Sequence, residues 1–147
     1  YARGRPMPLG RGAISRAILA WLPRTQQRRL IQENLSRYAE TAHGESLAEV
    51  QENLRQVRRE GVAMAFGEVT RGVIGTAAPV FDAGSSPIAA VCFTAAEADI
   101  ERDRLPSIAH DVRLAAQTLC AALAENRRDT SRPAEGDPVY ADQGAKN

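Results

Sequence analysis

The sequence predicts an α+β fold, a small and mainly antiparallel sheet with flanking helices. Three observations carry this: helical periodicity up to about residue 60, apolar runs broken by turn residues between 61 and 96, and one long amphipathic stretch after residue 100. With 147 residues, 44% hydrophobic and 25% charged, the chain has the size of one domain able to bury its own core.

Residues 1 to 12 are rich in Gly, Arg and Pro and read as a loop. Ile14, Ala17, Ile18 and Trp21 then recur at helical spacing, predicting about two turns that end near Leu22-Pro23. A second short helix opens at Arg24, with Thr25 as its N-cap. "SRYAETAHGES" follows as a loop, and an amphipathic helix starts from Ser46. Leu47, Val50, Leu54 and Val57 form its apolar stripe, while Glu52, Arg55, Arg58 and Arg59 face water. "GVAMAFGEV", "GVIGTAAPVF" and "IAAVCFTAA", separated by "TRG" and "DAGSSP", read as three strands of a meander. The last helix spans roughly Glu101 to Glu125, tolerates Pro106 in or near its first turn, and carries the stripe Ile108, Val112, Leu119 and Leu123. From Asn126 the sequence is polar and aperiodic. The expected organisation is one domain over residues 1–126 and a disordered tail over 127–147.

A formal net charge of +1 gives no global field toward nucleic acid or an anionic membrane. No apolar run approaches the ~20 residues of a membrane-spanning helix. Cys92 and Cys120 match no metal spacing and read as buried thiols of a reducing compartment, while His43 and His110 stand alone as surface or packing residues. No metal or cofactor is implied. Cys92 has no histidine near it in sequence and no third group, so the chain does not read as an enzyme.

Strand parity sorts the side chains. Ala90, Cys92 and Thr94 share one face of the last strand, and Gly75 and Ala77 share one face of the middle strand. If these small residues lie together, that face is underfilled. Either a helix packs closely on it or it holds a ligand, with Cys92 and Thr94 as a weakly polar rim. The first helix opens on Gly10-Arg11-Gly12. Its first amides lack intrahelical partners, so an anion can dock near Ala13 and Ile14 with Arg11 as a bidentate contact; equally, the glycines can simply shape a loop.

"PLGRGAISRAILAWLP", followed by "VRREGVAMAFGEVTRGVIGTAAPVFDAGSSPIAAVCFT", resembles the effector-binding domain of IclR-type bacterial transcription regulators. "SRAILA" stands where that family has a "GKALLA"-like helix, and Gly61, Ala63, Glu68, Gly72, Ala77-Ala78-Pro79-Val80, Asp82 and Gly84 follow the second family block in order. The resemblance implies a GAF-like domain whose curved sheet and helices enclose a small-molecule pocket. It implies effector contacts from Ala13, Ile14, Ala65, Gly75, Cys92 and Thr94, to which the chemistry of the helix opening adds Arg11 and Gly12. Where keto-acid sensors carry an acid, a cysteine and a serine, this chain has Ala65, Gly75 and Cys92, which implies a roomier, less polar pocket for a larger organic acid, aromatic ones included. Self-association as a dimer or tetramer is expected, in the cytoplasm and without a membrane. Contact with operator DNA is expected only through a winged helix-turn-helix that this sequence lacks; the family's first strands are also missing from it, so that Tyr1 reads as a start part-way into a larger protein. The competing expectation is a ligand-free assembly module.

Overall fold

The computed structural model describes residues 7–38, 41, 43–82 and 85–130, without the side chains of 127–130. Four α-helices and three strands follow in the order α1 (Ala13–Leu19), α2 (Arg24–Asn34), α3 (Leu47–Glu60), β1 (Ala63–Phe66), β2 (Val73–Phe81), β3 (Pro87–Ala96) and α4 (Leu105–Thr130). The strands form an antiparallel sheet in the order β1-β2-β3. The α+β class and the three-stranded meander are as read from the sequence.

The register places Ala65, Gly75 and Thr94 in one row across the sheet, and Ala63, Ala77 and Cys92 in the next. The small residues of the two strands therefore do share a face. Helix α1 covers it, with α3 packed on α1 and α2 on α3, building the main core from Ala13, Ala17, Leu19, Ile31, Val50, Leu54 and Ala77. On the opposite face Ala78 and Val80 pack under Val112 and Ala116 of α4.

Several local details differ from the sequence reading. Helix α1 buries Ala13, Arg16, Ala17 and Leu19, while Ile14 is 49% exposed. Alanines bring the helix close to a sheet made of glycine and alanine, so the larger Ile14 is turned outward. The α-helix stops at Leu19, because the amides of Trp21 and Leu22 turn back to the carbonyls of Ile18 and Leu19. The residue before Arg24 is Pro23, with extended backbone, and it is Pro23 that caps α2; Thr25 lies inside the first turn. Arg58 is half-buried and engaged rather than simply solvated: it donates to the Ala20 carbonyl and lies 5.5 Å over the Trp21 ring, closing the open carbonyl end of α1.

Helix α3 starts on a capping box between Ser46 and Glu49 and ends at Gly61 in the left-handed conformation. In α4 Val112 and Ala116, with the half-buried Ile108 and Cys120 beside them, pack against the sheet, whereas Leu119 and Leu123 are 46% and 39% exposed. The helix runs on to Thr130, past Asn126 where the tail was expected to begin. Residues 131–147, and Gly84 of the quoted motif, lie outside the described residues.

Candidate functional site

A cavity of about 430 Å³ opens between the start of α1, the β1–β2 loop and the small-residue face of the sheet. Its floor is the row Ala65, Gly75 and Thr94, with Cys92 beside it. Its helical wall is Arg11, Gly12, Ala13 and Ile14. All eight residues singled out from the sequence thus come together around one space. Gly75 faces α1 directly, since a Cβ there would lie 3.4 Å from the Ala13 Cβ. Close helix packing and an open space therefore coexist: α1 covers Ala77, and the space remains at the Gly75–Thr94 end.

Gly12 begins α1 at a φ of +82°, and a Cβ on it would stand 2.7 Å from Val69 Cγ2. Only glycine accommodates both demands. Behind this turn Tyr38 and His43 meet edge to face at 4.9 Å, and the Tyr38 hydroxyl donates to the Leu9 carbonyl. A Cβ on Gly10 would press on both, at 3.0 Å from the hydroxyl and 3.1 Å from His43 Nε2. Burial drives the His43 pKa down to about 3, aided by the nearby Arg16 guanidinium and opposed by the Asn53 hydrogen bond. Burial raises Tyr38 to about 12, against the lowering influence of Arg16. Both are neutral near pH 7, so they act as a packed wedge under the loop that presents Arg11.

Sequence reasoning passed over Glu68, quoting it only as a motif position. It is 5% exposed and holds the helix opening together. Its Oε2 accepts from the Gly12 amide at 2.9 Å, its Oε1 accepts from Arg16 at 2.5 Å, and its backbone carbonyl accepts from Arg11 Nε at 2.7 Å. A carboxylate of the chain itself therefore occupies the first amide of the opening, while the backbone carbonyl of the same residue anchors Arg11 beside it. The following amides, of Ala13 and Ile14, have no intrahelical acceptor. The sequence signal for Glu68 was an acid in an otherwise apolar run, seven residues before Gly75. Cys92 Sγ lies 3.4 Å from Thr94 Oγ1, two residues along the same face. The wall is thus mostly apolar, with the Arg11 guanidinium, the Glu68 carboxylate already engaged by Gly12 and Arg16, and the amide dipoles of Ala13 and Ile14 at the helical end, an arrangement suited to an apolar body bearing an anionic group.

Residues 1–121 match the family model described as "Bacterial transcriptional regulator IclR C-terminal". The chain belongs to this IclR C-terminal family. It is a family of transcription regulators and not of enzymes. The C-terminal domain of the E. coli transcriptional regulator KdgR is similar at 26% identity and TM-score 0.69, over 82% of this chain and 73% of that one. The Agobacterium tumefaciens repressor BlcR is similar at 17% identity and TM-score 0.68, over 84% of this chain and 50% of that one. A double mutant of the inducer-binding domain of the PobR transcription factor from Acinetobacter, solved as a 3-hydroxybenzoic acid complex, is similar at 21% identity and TM-score 0.65, over 82% and 74%. The IclR C-terminal chain thus spans about half the length of BlcR. No curated protein sequence matches it. Among the described residues no helix is long and apolar enough to cross a membrane.

Proposed function

We propose that this chain is the effector-sensing part of an IclR-type transcription regulator and that its cavity holds an organic carboxylate. The observation that carries the reading is the cavity itself. A space of about 430 Å³ falls within the ~300–1,000 Å³ of small-molecule sites. Its floor of Ala65, Gly75 and Thr94, with Cys92, suits an apolar, ring-sized body. Arg11, held by the Glu68 carbonyl, and the α1 opening at Gly12, Ala13 and Ile14 suit its carboxylate. The 3-hydroxybenzoic acid of the PobR inducer-binding domain belongs to the same chemical class. Operator binding belongs to a domain outside this sequence, and effector binding acts on the arrangement of assembled copies through differential affinity for two states.

A thermal-shift screen of aliphatic and aromatic carboxylates tests this. A ligand at 100 times its dissociation constant stabilises by about 2.7 kcal/mol, a readily measured rise in midpoint. The reading expects a hit among aromatic acids that weakens in Arg11→Ala. A folded chain that no carboxylate stabilises contradicts it and favours the ligand-free assembly module.

A further inference from the structure

We propose that a second cavity, at the carbonyl end of α1, binds hydrogen phosphate. The cavity, of about 130 Å³, lies between the first turn of α2 and the middle of α3, lined by Arg24, Gln27, Gln51, Leu54, Arg55 and Arg58. A water molecule's share of the liquid is about 30 Å³, so the space suits the four oxygens of a tetrahedral oxyanion and little more. Gln51, Leu54, Arg55 and Arg58 follow the i, i+3, i+4, i+7 face of α3, which brings two guanidiniums of one helix to one space. The cavity shares no lining residue with the larger one at the other end of α1.

Among the described residues no carboxylate lines this space. The Arg24 guanidinium bonds to no described residue, and Arg58 has only the carbonyls of Ala20 and Leu22 as hydrogen-bond partners. Arg55 shares the Glu52 carboxylate with Arg59, which leaves it incompletely neutralised. Helix α2 begins after Pro23, which offers no capping oxygen, and its first turn holds no acid. The positive end of its dipole is therefore uncompensated where Arg24 stands. An anion relieves this repulsion, and guanidiniums grip phosphate oxygens in pairs. Gln27 decides which anion. It is 8% exposed, and its Nε2 donates to the carbonyls of Leu19 and Ala20 at 3.0 and 3.3 Å, which fixes the orientation of its amide. Its Oε1 has no partner among the described residues, and Gln27 lines the cavity. A carbonyl oxygen only accepts, so an occupant that satisfies it carries a hydrogen. Hydrogen phosphate keeps one P–OH at pH 8, with three oxygens left for the guanidiniums. Sulfate has no such hydrogen, and a phosphomonoester, with a second pKa of about 6, has lost its own by then.

Isothermal titration of inorganic phosphate into the full 147-residue chain, at pH 8 and fixed ionic strength, tests the assignment, with sulfate and methyl phosphate as comparison ions. Saturable one-site phosphate binding is expected, about tenfold or more tighter than for either comparison ion. Arg24→Ala removes an exposed side chain that holds nothing in the fold, and is expected to weaken phosphate by about fivefold or more. Gln27→Met removes the acceptor and is expected to abolish the preference over sulfate; if that variant misfolds, the methyl phosphate comparison decides the same point. Arg11→Ala, at the larger cavity, is expected to bind phosphate as the unmodified chain does. Absence of saturable phosphate binding overturns the proposal. Equal affinity for sulfate or methyl phosphate overturns it too, leaving an unselective basic patch. So does undiminished binding by Arg24→Ala, or a loss in Arg11→Ala, since either puts the ion elsewhere.

Discussion

Replacing Glu68 with alanine removes the carboxylate that ties the β1–β2 loop to α1 through Gly12 and Arg16. The pair Arg16–Glu68 is 2.5 Å apart, with side-chain exposures of 3% and 2%, so the change strands a guanidinium in the core. Removing one partner of a buried pair costs about 3–5 kcal/mol. The Gly12 amide loses its acceptor at the same time, which belongs to the same loss. Against a total stability of about 5–15 kcal/mol for a domain, this is a large fraction. Urea denaturation followed by circular dichroism measures it. Arg16→Met is expected to cost a similar amount, because Glu68 then remains buried with only the Gly12 amide as donor. The double variant Arg16→Met/Glu68→Ala is expected to lose much less than the sum, with an interaction energy of about 2 kcal/mol or more. Glu68→Gln, whose single side-chain oxygen can accept only one of the two hydrogen bonds, should cost less than Glu68→Ala but not restore the pair. A Glu68→Ala cost below about 1 kcal/mol, or additive single and double variants, refutes the reasoning.

The remaining predictions concern the turn beneath the cavity. His43 titrates near 3 when folded and near 6.5 when unfolded, so the unfolded chain takes up the proton first. Stability is therefore full above about pH 6.5 and declines as pH falls toward 3, by about 2 kcal/mol at pH 5; this dependence should flatten between pH 7 and 5 in His43→Gln, and an unchanged slope rejects the assignment. Gly12→Ala combines a backbone of φ +82° and ψ 163°, essentially reserved for glycine and worth about 1–3 kcal/mol, with a 2.7 Å contact to Val69. Gly72→Ala also puts a side chain at positive φ, +73°, but meets nothing within 4 Å. Gly12→Ala should thus lower the thermal midpoint clearly more than Gly72→Ala, and equal effects would remove Val69 from the explanation.

The strands and their shared face were legible because parity needs only short apolar runs bounded by turns, and Gly75, Ala77, Cys92 and Thr94 obey it. Helical faces were less so. In α1 and α4 the eye follows the largest apolar residues, Ile14, Leu119 and Leu123, yet the sheet selects alanines because they permit close approach. Glu68 was hidden for a related reason: an acid in an apolar run looks like a surface position until its partners, 52 and 56 residues away, are brought beside it. Arg58 likewise has the spacing of a solvated helix face, and only the fold reveals the carbonyl end of α1 that it closes.

The most direct test of the central claim is isothermal titration of the best carboxylate from the screen into the unmodified chain and into Thr94→Phe. Thr94 is exposed at the edge of the sheet and lies opposite Gly75, so an aromatic ring there fills the cavity floor without disturbing the core. The account predicts saturable one-site binding to the unmodified chain and at least a tenfold loss of affinity in the variant. Equal affinity in a folded Thr94→Phe chain would place the ligand elsewhere and contradict it.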